Sequence, residues 1–159
     1  MRIRPCTAED VDAVRTFVRA NPPLDLHSAF SYWVLFSYQN DLCFVMEDDD
    51  GRLVGFVSGV TCAHDRGICY LWQLAVDSAL RRSAIAHQLT AEFHAAARRL
   101  GCTRIQFSID PANVPSLSAA QRFAAKYGFA MKKVSAVSFR DSIDGVDVHE
   151  DVYEIDMIQ

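Results

Sequence analysis

The sequence predicts a mixed α/β domain in which one sheet carries helices on both of its faces. Strand-like and helix-like segments follow one another in the order β-α-α-β-β-β-α-β-α-β-β, and no repeat, low-complexity tract or linker separates them. Half of the 159 residues are apolar, and a chain of this length buries about two thirds of its unfolded surface. We therefore expect residues 1–159 to form a single domain.

The first third of the sequence predicts one strand and two helices. Residues 2–6 alternate between charged and apolar side chains, as in a strand. Thr7 is a typical N-cap for the first helix, which must stop before Pro22-Pro23. Ser28 can cap a second helix from Ala29 to Tyr38, which is apolar and aromatic most of the way round. Such a helix is expected to be covered on both sides or to line a pocket.

Two strands joined by a tight turn are predicted next. The strand-like runs span 42–47 and 52–60, and the Asp50-Gly51 pair between them is a strong hairpin signal. Gly55 and Gly59 lie inside the second run, where they indicate a bulge or the close approach of another segment.

The second half of the chain predicts a central buried strand followed by alternating helices and strands. Residues 68–76 are almost all apolar, aromatic or β-branched, and a 3.6-residue apolar stripe begins at Ile85 and ends before Gly101. The remaining segments are predicted as a strand over 103–109, a helix over 116–127, strands over 129–139 and 152–158, and an acidic turn region over 140–150.

The charge balance excludes several classes of partner. The chain has 20 acidic and 16 basic residues and a net charge of −4, so neither nucleic acid nor an anionic membrane is an expected partner. A small cationic or zwitterionic substrate fits better. No apolar run of about 18 residues and no signal-peptide pattern is present, which predicts a cytoplasmic protein.

The cysteines and histidines do not follow a metal-binding pattern. Five scattered cysteines without a C-x-x-C pair are typical of buried thiols in a reducing compartment. The five histidines also lack the spacing of metal ligands, so we expect no metal. These residues are Cys6, Cys43, Cys62, Cys69 and Cys102, and His27, His64, His87, His94 and His149.

The segment between the central strand and its helix has the features of an anion-binding loop. Asp77 to Ala84 forms a short basic turn that leads into the helix at Ile85. The free N–H groups and the positive dipole at a helix N-terminus suit a pyrophosphate, and Arg81 and Arg82 could neutralise its charge. Any strand, loop and helix of an α/β domain produces a similar junction, however, and the two arginines could equally be solvated surface residues.

This loop resembles the acetyl-CoA loop of the GNAT N-acetyltransferase superfamily. The usual pattern is Gln/Arg-x-x-Gly-x-Gly/Ala, and the chain reads Arg81-Arg82-Ser83-Ala84-Ile85-Ala86, with Ala84 where the family has glycine. The order of elements also matches the GNAT fold, which implies a mixed, mostly antiparallel twisted sheet and acetyl-CoA as co-substrate. The cofactor-binding residues implied by the resemblance are the backbone of Leu74 and Val76, and Arg81, Arg82, Ser83, Ala84, Ala86, Asn113 and Ser116.

Five further segments resemble the diaminobutyrate acetyltransferases of ectoine biosynthesis. They are Pro22–Ser28, Gly55–Gly59, Trp72–Val76, Pro111–Ser116 and the late acidic segment that ends at Glu150. The chain departs from that pattern at His27, where the family has Asn, and at Phe30, where it has Tyr. The resemblance implies transfer of acetyl from acetyl-CoA to the side-chain amine of L-2,4-diaminobutyrate or a close diamino acid, and a homodimer.

The reaction needs a carboxylate that orders an alkylammonium and accepts its proton, because the pKa of such an amine is about 10.4. Asp25 and Glu150 are the candidates, with the N–H of Leu74 polarising the thioester carbonyl. The substrate-binding set is Asp25, Phe30, Trp72 and Glu150. No residue near Cys69 in sequence would activate it, so attack is expected to be direct, in a ternary complex.

A purely structural role remains an alternative for most of these residues. Asp25 could be a turn aspartate, Glu150 a solvated residue, Trp72 a core residue and Asn113 a turn former. Ala120 stands where many GNAT enzymes carry a tyrosine that protonates the departing thiolate. Two alternatives therefore remain: an acetyltransferase for another small amine, such as a polyamine or amino sugar, or a non-catalytic acyl-CoA-binding protein.

Overall fold

The computed structural model describes residues 1–81 and 83–158, and its centre is a seven-stranded sheet in the order β1-β2-β3-β4-β5-β7-β6. Among the described residues the neighbouring strands are antiparallel except β4 and β5, which are parallel. The strands are β1 (Arg2–Pro5), β2 (Phe44–Glu47), β3 (Leu53–Thr61), β4 (Ile68–Val76), β5 (Arg104–Ile109), β6 (Ala130–Arg140) and β7 (Asp147–Asp156). The mixed, mostly antiparallel sheet implied by the family resemblance is confirmed.

In the described residues, four α-helices cover the two faces of the sheet. They are α1 (Val11–Ala20), α2 (Ala29–Tyr38), α3 (Ile85–Arg99) and α4 (Val114–Tyr127). Side chains of α1 and α2 form one buried cluster with one face of the sheet, and those of α3 and α4 form a second cluster with the other face. The predicted order of elements and the helices on both faces are therefore confirmed.

The glycines of β3 allow α3 to lie directly on the sheet. A Cβ at Gly59 would stand 2.5 Å from both the ring of Phe93 and the carbonyl oxygen of Tyr70, and one at Gly55 would stand 2.6 Å from Leu89. The register between β3 and β4 also shifts between Ser58 and Gly59. Both features expected of these glycines, a bulge and a close approach, are present.

The last strand begins earlier than predicted. The acidic turn region was expected to extend to residue 150, but β7 begins at Asp147 and its residue Glu150 pairs with Val137 of β6. The connecting turn is short and contains Gly145 with φ of +68°, a conformation that glycine adopts without strain. Pairing with the long β6 extends the strand through charged residues that resemble a turn in sequence.

The aromatic helix α2 is covered on one side only in this chain. Tyr32, Leu35 and Phe36 are buried against the sheet, whereas Phe30 and Tyr38 are each 71% exposed. Of the two alternatives expected for α2, coverage on both sides is not met by the described residues, and the lining of a pocket stays a prediction. Trp33 and Val34 extend the exposed apolar surface.

Candidate active site

A cleft opens in the sheet where β4 and β5 part. The two parallel strands pair from Ile68–Arg104 to Tyr70–Gln106 and no further. Asp77 N–H donates to the carbonyl of Val54 on β3, and successive N–H groups of a strand point to opposite edges. The N–H groups of Leu74 and Val76 therefore point away from β3, into the cleft, where they can donate to a carbonyl group between the strands.

A bulge in β4 turns Trp72 out of the sheet. Gln73 pairs with Ser58 and Leu71 pairs with Gly59, so Trp72 is the extra residue on its strand. Its side chain is 43% exposed and lies outside both buried clusters. The ring packs against His27, with 4.8 Å between the ring centroids. The bulge thus presents an indole beside the cleft, on the side of the sheet that carries α2.

His27 itself is half-buried next to this indole. Burial lowers the pKa of His27, and the nearby Asp25 carboxylate opposes that shift. Its Nε2 atom is buried and has no hydrogen-bond partner among the described residues. The lowered pKa favours a neutral imidazole beside the indole.

The segment that carries Asp25 is tied to the central strand by a buried amide. Gln73 is 3% exposed, and its Nε2 donates to the backbone carbonyl of Asp25 at 2.8 Å. Its Oε1 accepts from the hydroxyl of Tyr32 on α2 at 3.0 Å. The Asp25 carboxylate remains exposed, so the loop is fixed while its charged group stays accessible.

A carboxylate lies across the cleft from this loop. Glu150 of β7 accepts a hydrogen bond from the hydroxyl of Ser108 on β5. The Oγ atom of Ser108 in turn lies 2.6 Å from the hydroxyl oxygen of Tyr70 on β4. Cys69 and Leu71 face the α3 cluster, so Tyr70 faces the opposite side, the side of Trp72 and α2. One face of the sheet thus carries an indole and a hydrogen-bonded carboxylate, and the backbone of the Asp25 loop is tied to the same strand.

The loop before α3 begins with a 3-10 turn over Ser78–Leu80, and Arg81 and Ser83 are exposed. Arg81 donates to the carbonyl of Pro22 at 2.5 Å, and Ser83 accepts from the N–H of Ile85 at 3.4 Å. Ala84 occupies the N-cap position of α3 and is exposed, and Ala86 is half-buried in the first turn. Arg82, the other predicted phosphate contact, lies outside the described residues. The exposed helix N-terminus beside the cleft fits a pyrophosphate.

Asn113 and Ser116 lie at the start of α4. The side chain of Asn113 accepts from the N–H of Ser116 at 3.3 Å and so caps the helix. Pro115 in the first turn explains why α4 begins two residues before the predicted start. Ala120 packs against the α3–α4 cluster and carries no titratable group. The capping role observed for Asn113 matches the turn-forming alternative.

Two further aromatic residues pack against other rings. Phe30, a predicted substrate-binding residue, is exposed on α2 and stacks on Trp33 with 5.4 Å between ring centroids. Tyr127 packs among Phe123, Phe129 and the ring of His87.

Sequence reasoning missed Tyr70 and Ser108. Each is an uncharged polar group inside an apolar strand, and only their strand position indicates that they share a face. The period-two alternation of β5, in which Ile105, Phe107 and Ile109 are buried, marks Ser108 as facing away from the α3–α4 cluster. The alternation does not indicate that a glutamate 42 residues away reaches it.

No group of three or more His, Cys, Asp or Glu residues is arranged to hold a metal ion within residues 1–81 and 83–158. All five cysteines are free thiols. Burial raises the pKa of Cys43 to about 12 and also raises that of Cys69. In the same part of the chain, no helix has the length and apolar character needed to cross a membrane.

Comparison with known proteins relates this arrangement to one family. The model of the acetyltransferase (GNAT) family matches residues 11–129. The L-2,4-diaminobutyric acid acetyltransferase of Chromohalobacter salexigens is 37% identical over 87 residues, which are 55% of this chain and 45% of that protein. The enzyme of the same name from Halomonas elongata is 29% identical over 79% of this chain and 65% of its own length. The chain therefore spans about half to two thirds of the length of these relatives.

A solved structure matches the chain nearly end to end. Diaminobutyrate acetyltransferase EctA from Paenibacillus lautus, in complex with its substrate L-2,4-diaminobutyric acid and coenzyme A, is 26% identical with a TM-score of 0.87. The match covers 99% of this chain and 96% of that one. Ard1 from Thermoplasma volcanium has a TM-score of 0.78 at 18% identity, which shows a shared fold.

Proposed function

Because the chain belongs to the acetyltransferase (GNAT) family, we propose that it transfers acetyl from acetyl-CoA to the side-chain amine of L-2,4-diaminobutyrate or a close diamino acid. One observation carries the proposal. The backbone of Asp25 is tied to Gln73 on β4, and the Glu150 carboxylate and the Trp72 indole lie on the face of the sheet that carries α2. The likeness to a structure that holds diaminobutyric acid and coenzyme A supports this choice of substrate.

The chain's carboxylates suit the amino groups of a diamino acid. A carboxylate attracts the side-chain ammonium, and an aromatic face such as that of Trp72 stabilises a cation by about 0.5–2 kcal/mol. Glu150 accepts one proton from the ammonium, which leaves a neutral amine as the nucleophile. Asp25, held by the Gln73 tether, binds the substrate from the opposite side of the cleft.

Acetyl-CoA supplies the activated acyl group when bound. The N–H groups of Leu74 and Val76 point into the cleft, where they would donate to its thioester carbonyl and stabilise the negative charge that develops there. The amine nitrogen would form a bond to the carbonyl carbon as the C–S bond breaks, and the second amine proton would pass through water to the departing thiolate. The α3 N-terminus with Arg81, Arg82, Ser83, Ala84 and Ala86 would hold the phosphates, and Asn113 and Ser116 the pantetheine.

The departing thiolate does not need a side chain that protonates it. Ala120 cannot protonate the sulfur, and a thiol with a pKa of about 8.5 is a fair leaving group near neutral pH. Cys69 is not an acyl carrier, because burial raises the pKa of its thiol and the reactive form is the thiolate.

We further propose that the chain is one domain, acts as a homodimer, and works in the cytoplasm. The exposed apolar surfaces of α2 (Phe30, Trp33, Val34 and Tyr38) and of β6 (Val134, Val137 and Phe139) support a dimer. The free thiols support a reducing compartment. Light scattering on the purified chain, compared with a Trp33→Ser variant and a Val137→Ser variant, tests the dimer and identifies the face it uses.

The chemical test of the proposed reaction identifies the acylated nitrogen. Purified protein is incubated with diaminobutyrate and acetyl-CoA labelled with ¹³C in the acetyl group, and the product is analysed by NMR. The expected product carries the label on the side-chain nitrogen. Labelling of the α-nitrogen, or the absence of a labelled amide, would contradict the proposal.

A further inference from the structure

A hydrogen-bonded chain of three side chains crosses the parting strands. Tyr70 lies on β4, Ser108 on β5 and Glu150 on β7, and each contacts the next through its terminal oxygen. A hydroxyl carries one proton. Because Ser108 donates its proton to Oε2 of Glu150, the proton between Tyr70 and Ser108 must come from Tyr70. The two hydrogen bonds therefore run in one donor-to-acceptor direction, from Tyr70 through Ser108 to the Glu150 carboxylate.

The three hydrogen-bonded side chains lie at the entrance to the cleft. Tyr70 and Gln106 form the last pair of the parallel β4–β5 ladder, and the bulged Trp72 follows two residues later. Glu150 reaches Ser108 from the β7 segment that pairs with the end of β5. All three side chains are half-buried, so neighbouring strands limit their motion while the carboxylate stays accessible.

Glu150 is held by neutral groups rather than by a cation. The basic residues of the neighbouring strand β6 pair elsewhere: Lys132 with Glu154 at 3.5 Å, Lys133 with Asp151 at 2.6 Å and Arg140 with Asp147 at 3.2 Å. Within residues 1–81 and 83–158 no ion pair joins Glu150 to a lysine or arginine. A fixed cation would compete with a substrate ammonium, whereas a hydroxyl donor orients the carboxylate and leaves its full charge available.

We propose that Ser108 and Tyr70 are positioning residues that orient the Glu150 carboxylate towards the substrate amine. The inference rests on the proposed function for the identity of that amine. Ser108 occupies Oε2, so Oε1 is the atom that receives the ammonium proton. Hydrogen bonds to the charged form of an acid favour that form. Tyr70 polarises the Ser108 hydroxyl and so strengthens the bond that Ser108 donates.

Kinetics of substituted proteins test the inference. Ser108→Ala is expected to lower kcat with the amine about tenfold or more, because a hydrogen bond to a charged group is lost. KM for acetyl-CoA stays unchanged, and the acidic limb of the pH profile moves to higher pH. Ser108→Thr keeps the hydroxyl and restores most activity, and Tyr70→Phe gives a smaller loss in the same direction. Tyr153→Phe, on the opposite face of the sheet, is the matched control.

A second measurement does not depend on turnover. The side-chain carboxyl carbons of ¹³C-glutamate-labelled protein are titrated by NMR, and the Glu150 signal is identified by its absence in Glu150→Gln. The Glu150 midpoint is expected at higher pH in Ser108→Ala than in wild type. An unchanged midpoint, or a Ser108→Ala protein as active as wild type, would overturn the inference. A wild type without diaminobutyrate turnover would instead count against the proposed function, and the titration would still decide the role of Ser108.

Discussion

The tether between the Asp25 loop and the central strand can be cut by one substitution, Gln73→Met. Methionine has nearly the shape of glutamine but accepts and donates no comparable hydrogen bond. The change leaves the hydroxyl of Tyr32, which is fully buried, without its acceptor, and it frees the carbonyl of Asp25. An unsatisfied buried polar group costs about 1–3 kcal/mol. The expected loss of unfolding free energy is therefore about 2 kcal/mol.

Urea unfolding of four proteins measures this loss and assigns it. Removing both partners of a buried hydrogen bond is nearly neutral, so the double variant Tyr32→Phe/Gln73→Met should recover about 1 kcal/mol relative to the sum of the single variants. Gln39→Met removes an amide that also accepts hydrogen bonds, but at a partly exposed site, and serves as control. Strict additivity of the two single changes would refute the reasoning.

The same substitution has a functional consequence. The loop that carries Asp25 loses its attachment to β4, so KM for the amine should rise while KM for acetyl-CoA stays constant. Steady-state kinetics with each substrate varied in turn measures both constants. An equal rise in the two values would indicate a general disturbance of the cleft and would contradict a local role for the tether.

Three further outcomes are expected. Glu150→Gln should lower kcat about 100-fold without weakening acetyl-CoA binding measured by calorimetry, since it removes the proton acceptor; equal activity would exclude Glu150 from the mechanism. Gly59→Ala should cost about 3 kcal/mol by urea unfolding, because its Cβ would overlap backbone and ring atoms, whereas Gly67→Ala, whose nearest neighbours are side chains at 3.2 Å or more, should cost much less. Burial lowers the pKa of His94, so the unfolded chain alone gains a proton below about pH 6.5 and stability falls. His94→Phe should reduce that loss between pH 7.5 and 5.5, and an unchanged pH dependence would show that His94 does not cause it.

Local signals in the sequence were sufficient for most of the fold. The central strand Ile68–Val76 and the helix Ala29–Tyr38 begin and end at the predicted residues. An apolar run and a serine N-cap are local signals, because each depends only on a few neighbouring residues. The two glycines of β3 were recognised as sites of close approach for the same reason. Each of these features depends on side-chain size, periodicity or capping.

The features that were missed depend on pairing between distant segments. The start of β7 is decided by its partner β6 rather than by its own charged residues. The exposure of Trp72 follows from a one-residue shift in the β3–β4 register; the glycines of β3 indicate a bulge, but not that the extra residue lies on β4. The contact between Tyr70 and Ser108 joins residues 38 apart in the chain. The candidate site was therefore predicted as separate residues, and the structure supplied the contacts between them.

The central claim is that this cleft acetylates a diamino acid, and CoA thiol release across several amines tests it most directly. Purified protein with acetyl-CoA is given diaminobutyrate, ornithine, lysine, putrescine or glucosamine, each against a blank without amine. The highest kcat/KM is expected with diaminobutyrate, and this turnover is expected to be lost in Glu150→Gln. Preferred turnover of putrescine or glucosamine, or acetyl-CoA binding without thiol release from any amine, would contradict it.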